Sequence, residues 1–288
     1  MRLSIVQTAL HWENAPANRA AFAEKLAPLA GHTDLVVLPE MFTTGFSMNA
    51  GALAEPMDGP TVQWMRGQAE RLGAAITGSF ICRENDKFYN RLVFMRPDGQ
   101  TDVYDKRHLF TLAHEQDTYT PGRERRIVEW LGWRVCPLVC YDLRFPVWSR
   151  NPNPSPEGEG GGDGVVNSTS PLPFRGGAGG GVSGSGVPYD LLLYVANWPS
   201  RRSHHWRALL PARAIENQCY VAGVNVTGAD GNGYEYTGDS AVIDFSGQLL
   251  CQISRQEGIF TTKLLMEDIH QFRRELPFLS DADDFQLF

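Results

Sequence analysis

Three residues whose types could share one reaction each end a predicted strand of the chain. Cys140 follows Leu138-Val139 and gives way at once to Tyr141-Asp142-Leu143-Arg144-Phe145-Pro146. Glu40 closes Leu35-Val36-Val37-Leu38-Pro39, and Lys106 follows the 101–104 run within Asp105-Lys106-Arg107-His108-Leu109-Phe110. Acyl transfer is the chemistry such a set could perform. A thiol is weakly ionised at neutral pH and becomes a strong nucleophile once a neighbouring base takes its proton. Glu40 could be that base, could then protonate a leaving amine, and could later activate water. Lys106, together with the backbone N–H after Cys140, could balance the charge developing on a carbonyl oxygen. Each residue also has a plain reading. Cys140 could be a buried structural thiol, Glu40 the first residue of a loop and Lys106 a solvated strand end.

The surrounding pattern must bring these residues to one place. Residues 3–9 and 35–40 read as buried strands, and 16–30 between them carries apolar residues at helical spacing, stopped by Gly31. A helix follows from Gly59-Pro60-Thr61 to Leu72, with Gly73 as its stop. Stretches 74–82, 88–95 and 101–104 then read as adjacent antiparallel strands, which makes a mixed sheet more fitting than a doubly wound parallel one. His114-Glu115-Gln116-Asp117 precedes the turn signature Tyr119-Thr120-Pro121-Gly122, so Glu115 falls in a loop returning toward Lys106. A hairpin over 127–130 and 133–139 leads into Cys140, where a short helix is expected to begin. Its N–H groups would favour a thiolate and an oxyanion.

Residues 151–187, dominated by Gly, Pro and Ser, cannot bury enough apolar surface to offset their ordering entropy and read as a surface insertion. Order resumes in a buried strand over 189–196 that ends in Asn197-Trp198-Pro199. A helix over 203–217 then carries Trp206, Leu209, Leu210, Ala214 and Ile215 on one face, with Pro211 predicting a kink or break. Strands over 219–226, 240–245, 249–253 and 259–265 and a helix over 266–276 complete the chain.

The 288 residues are read as a single domain, 1–288, containing that insertion. A net charge of −7 argues against a nucleic-acid partner. Five cysteines without a repeating pattern fit a reducing cytoplasm better than a disulfide framework, and no apolar run is long enough for a membrane helix.

The stretches around Glu40, Lys106 and Cys140, with Ala196-Asn197-Trp198-Pro199 and Ala212-Arg213-Ala214-Ile215-Glu216-Asn217, resemble the nitrilase, or carbon-nitrogen hydrolase, superfamily. The likeness spans the chain apart from the insertion. It implies an α/β fold, a four-layer α-β-β-α sandwich of two mixed sheets, usually dimerised through a sandwich face. Glu40 then corresponds to the general base, Lys106 to the oxyanion residue, Cys140 to the nucleophile and Glu115 to the second glutamate, which orients the lysine and substrate. Neither a cofactor nor a metal is implied. Cys140 to Phe145 and Met41-Phe42-Thr43-Thr44-Gly45-Phe46 resemble bacterial omega-amidases, which hydrolyse the terminal amide of 2-oxoglutaramate or 2-oxosuccinamate. Arg144 could grip the carboxylate of such a small-molecule amide, or form an ion pair with Asp142 or another acid. Phe42, Tyr141 and Trp198 would wall the pocket. Tyr141-Asp142 differs from the Trp-Glu that tends to follow the cysteine of true nitrilases, and the Asn-Asp-Arg-Arg kind of sequence found in carbamoylases is absent. Val226 stands where resembling amidases commonly carry arginine.

Three other readings compete. A papain-like enzyme would need His108, His204 or His205 as base, and a zinc site would draw on Cys136, Cys140 and histidines. A non-catalytic interaction protein could keep the scaffold without the chemistry.

Overall fold

The computed structural model describes residues 1–151 and 188–283. The 151–187 insertion therefore lies outside the described residues except for Asn151, which is buried. The chain opens with β1 (Arg2–Gln7), α1 (Ala15–Leu26) and β2 (Leu35–Val37). The first helix is shorter than its apolar spacing suggests. Pro28 lacks the N–H that a further turn would need, and the chain tightens into a 3-10 turn over Ala27–Leu29. A short α2 (Ala50–Leu53) precedes α3 (Pro60–Leu72), which stops at Gly73 in the left-handed conformation, φ 63°. Next come β3 (Ala75–Glu84), β4 (Lys87–Met95), β5 (Thr101–Asp105) and α4 (Glu115–Thr118). The hairpin β6 (Val128–Trp130) and β7 (Trp133–Val139) leads through a 3-10 turn, Cys140–Arg144, to α5 (Pro146–Ser149).

After the undescribed segment, β8 (Leu191–Ala196), α6 (Ser203–Asn217), β9 (Tyr220–Asn225) and β10 (Thr227–Ala229) follow. The chain then adds β11 (Glu235–Ile243), β12 (Leu249–Ser254), β13 (Gly258–Lys263) and α7 (Met266–Glu275). The helix α6 runs unbroken through Pro211. The carbonyl that proline leaves without a helical partner belongs to Arg207, an exposed residue that water can serve. Ile215, expected on the buried face, is instead 56% exposed.

Two mixed sheets result, as expected. One has the order β13-β1-β2-β3-β4-β5, and the other β10-β11-β9-β8-β7-β6 with β12 beside β11. The pairs β1–β2, β2–β3, β7–β8 and β8–β9 are parallel, and the others are antiparallel. Alternation along β1 and β2 explains the layering. Leu3, Ile5, Leu35 and Val37 join Val139, Val195 and Val224 in the core between the sheets. Val6, Val36 and Leu38 turn the other way, onto Phe22 and Leu26 of α1 and Met65 and Ala69 of α3. Trp206, Leu210 and Ala214 carry α6 against the second sheet, which gives the α-β-β-α sandwich. No described helix is long and apolar enough to cross a membrane.

The three reactive positions lie just past the carboxyl ends of β2, β5 and β7. The turn at Gly122 fixes one of them, because its N–H donates to the Lys106 carbonyl at 2.9 Å. A Cβ at Gly122 would stand 2.0 Å from the carbonyl oxygen of Asp105, and a backbone atom has no rotamer by which to escape. Gly122→Ala should destabilise the fold by at least about 2 kcal/mol, measured as a lowered urea midpoint at unchanged slope.

Candidate active site

The ammonium of Lys106 sits between two carboxylates with no exposed side-chain surface on any of the three. Its Nζ donates to Glu40 Oε1 at 2.9 Å and to both oxygens of Glu115 at 3.0 and 2.9 Å. Two buried carboxylates against one ammonium leave an excess negative charge that neutral donors must spread. The backbone N–H of Asn197 reaches Glu40 Oε2 at 2.8 Å, Asn90 Nδ2 reaches Glu40 Oε1 at 2.8 Å, and the N–H of Phe110 reaches Glu115 Oε2 at 2.6 Å. Burial works against the charged lysine, but Glu115 and then Glu40 outweigh it and hold its pKa above the ordinary lysine value. Burial, reinforced by Glu40 and opposed by Lys106, pushes Glu115 above the usual carboxylate range.

Cys140 lies beside this cluster. Its backbone takes a left-handed conformation, φ 45°, where the extended β7 turns into the 3-10 segment. Asp142 holds that turn. Its carboxylate accepts from the Val139 N–H at 3.0 Å, the Tyr104 hydroxyl at 2.7 Å, the His108 N–H at 3.0 Å and His108 Nδ1 at 2.7 Å. Asp142 is thus committed to the turn, and the alternative of an Asp142–Arg144 ion pair is not what forms. Burial above all, then the Glu40 carboxylate, pushes the Cys140 thiol well above its ordinary pKa, and Lys106 only partly opposes them. The balance favours the thiol over the thiolate.

Cys140, Glu40 and Lys106 lie in a cleft of about 610 Å³, its open mouth included, which Tyr141, Arg144 and Trp198 also line. Phe42 does not. It is fully buried between α1 and α3, 5.6 Å from the rings of both Phe22 and Trp64. Phe46, four residues later, takes the wall position instead, 5.0 Å from Lys106 Nζ. Arg144 lies over the Trp198 ring at 4.8 Å and donates from Nη2 to His205 Nδ1 at 2.9 Å. Glu115, expected in a loop, begins the four-residue α4. None of the nominated histidines lines the cleft. His108 is stacked on Phe145 at 3.8 Å, while His205 accepts from Arg144.

Sequence reasoning missed Asn90, which touches both glutamates, and the role of Asn197 in binding Glu40 across the two sheets. A buried asparagine inside an apolar strand was the available signal for Asn90. The hydrogen bonds of Asp142 generate a direct test. Asp142→Ala strands several buried donors and should cost about 3 kcal/mol in denaturant unfolding. Alkylation of Cys140 should lose its native pH profile in the same variant.

Comparisons with known proteins identify the family. The family model for carbon-nitrogen hydrolases matches residues 2–153 and 189–274. The chain is 42% identical over 289 aligned residues to omega-amidase YafV of Escherichia coli strain K12, covering 100% of this chain and 99% of that protein. It is 34% identical to the 2-oxoglutaramate amidase of Bacillus subtilis strain 168, covering 87% and 85%. Among solved structures, XC1258 of Xanthomonas campestris, a CN-hydrolase superfamily protein with an arsenic adduct in its active site, aligns with a TM-score of 0.89 at 47% identity. That alignment covers 100% of this chain and 99% of that one. With a family model matched along both sheets and close relatives aligned end to end, the chain belongs to the carbon-nitrogen hydrolase family.

Proposed function

We propose that the protein hydrolyses the terminal amide of small 2-oxo acid amides, 2-oxoglutaramate or 2-oxosuccinamate, as an omega-amidase. The observation that carries this reading is one ammonium held by two buried carboxylates beside the Cys140 thiol, in a cleft walled by Arg144. Similarity to proteins named omega-amidase and 2-oxoglutaramate amidase supports the substrate class.

In this reading Cys140 Sγ attacks the amide carbonyl while its proton passes to Glu40. Lys106 Nζ balances the resulting oxyanion, and Glu115 keeps Lys106 charged and in place. Collapse of the tetrahedral intermediate breaks the C–N bond, and Glu40 returns the proton so that the nitrogen leaves as ammonia. Water, deprotonated by Glu40, then attacks the thioester and releases the 2-oxo dicarboxylate and the thiol. Tyr141 and Trp198 flank the chain of the substrate, and Arg144 meets its carboxylate.

The resemblance also supports a homodimer, which light scattering on the purified protein would test. The five unpaired cysteines support a cytoplasmic setting. We propose further that residues 152–187 are an addition to a single 1–288 domain and are not needed for the chemistry. The family match stops at 153 and resumes at 189, and Tyr189 N–H donates to Asn151 Oδ1 at 2.8 Å, so the flanks already meet.

Ammonia release from 2-oxoglutaramate by the wild type and its absence in Cys140→Ala are expected. Failure of the wild type across several short amides would favour a scaffold that kept only the fold. Glu40→Gln should lower kcat by roughly 10²–10⁴-fold. The same change removes a negative neighbour, so the thiol pKa should fall, read as ultraviolet thiolate absorbance appearing at lower pH. A thiol pKa unmoved or raised in Glu40→Gln would contradict the assigned base. Replacing 152–187 by a short Gly-Ser link should leave kcat within about twofold and stability within about 1 kcal/mol. A large loss of turnover would overturn the dispensability of that segment.

A further inference from the structure

Besides Arg144, two arginines line the cleft, Arg201 and Arg202, and the mechanism above uses neither. Arg202 lines the cleft with Arg144, and the two guanidinium groups rest on different rings. Arg144 lies over Trp198 at 4.8 Å, and Arg202 over Phe110 at 5.2 Å. Trp198 couples them, because its Nε1 donates to the Arg202 carbonyl at 2.9 Å while its face carries Arg144. Phe110 is held in turn, edge-on to Tyr141 at 5.0 Å, and its N–H binds Glu115. Among the described residues neither arginine forms an ion pair with an acidic side chain. Two partly buried cations that repel one another, each backed by a ring and neither neutralised, make a ready anion site.

We propose that Arg202 is a substrate-binding residue that closes, with Arg144, a two-guanidinium clamp on the 2-oxo carboxylate end of the amide. This rests on the omega-amidase reading and deepens it. A 2-oxo carboxylate presents three acceptor oxygens and no donor, which suits two forks of N–H groups. A 2-amino carboxylate, as in glutamine or asparagine, would bring an ammonium group against the same cations. The clamp therefore selects the oxo acid amide over the amino acid amide by charge. Burial, then Arg201 and Arg144, already hold the Arg202 pKa below its ordinary value, as expected of a cation lacking an anion. Arg201 is more exposed and lies over Tyr234 at 5.1 Å.

The test is steady-state ammonia release by wild type, Arg202→Gln, Arg202→Lys and Arg201→Gln on 2-oxoglutaramate, glutamine and pentanamide, an uncharged amide. Arg202→Gln should raise KM for 2-oxoglutaramate about tenfold or more, with kcat/KM for pentanamide within about twofold. The ratio of kcat/KM for 2-oxoglutaramate over glutamine should shrink by a similar factor, and Arg202→Lys should fall between. Equal losses on charged and uncharged amides would overturn the clamp, as would an equal effect of Arg201→Gln, which would indicate only a diffuse field. Binding of 2-oxoglutaramate to Cys140→Ala, with and without Arg202→Gln, separates the two proposals. If the wild type hydrolyses only uncharged amides, the omega-amidase reading fails. The clamp then stands if Arg202→Gln weakens binding at least about tenfold, and falls if it does not or if no binding occurs.

Discussion

The structure is built around a charge imbalance. Glu40, Lys106 and Glu115 are sealed from solvent with two carboxylates to one ammonium. Burying even a paired ion costs several kcal/mol, and the cost is bearable only where every oxygen is hydrogen-bonded. That requirement accounts for the donors from Asn90, Phe110 and Asn197. It also explains why the adjacent thiol keeps its proton. A thiolate would add a second uncompensated charge, so in the proposed mechanism the thiol gives its proton to Glu40 and the local charge stays constant.

The same bonds tie the two sheets together. Glu40 and Lys106 follow strands of the first sheet, and Cys140 and Asn197 follow strands of the second. Asn197 binds both the backbone carbonyl and the side chain of Glu40, so the site spans the seam of the sandwich. Asp142 repeats this across the seam, with Tyr104 at the end of the first sheet and Val139 at the end of the second. A shift of one sheet against the other would therefore break chemistry and architecture together.

What could be read from sequence follows from this geometry. Glu40, Lys106 and Cys140 were legible because each ends a predicted strand, and an α/β sheet can gather strand ends at one edge. The α3 helix was legible from Pro60 and Gly73, its start and stop. Phe42 and Phe46 could not be told apart, since both sit in one loop where no periodicity says which ring faces the cleft. Asn90 was hidden because a strand pattern shows that a residue is inside, not which charge it meets. Arg202 was hidden in another way. Arg201-Arg202 reads as a solvated helix start, and only the return of β8 beside β7 brings it to the same cleft as Cys140.

The left-handed backbone at Cys140 limits which element the reaction can use. At φ 45° a β-branched side chain is strongly disfavoured, so threonine is not an available nucleophile at this corner. Serine would fit the backbone but would ask Glu40 to remove a proton from a far weaker acid. Sulfur is thereby fixed twice, once by sterics and once by acidity. Under the proposed mechanism, a lineage carrying this turn can drift in its substrate while its covalent intermediate stays a thioester.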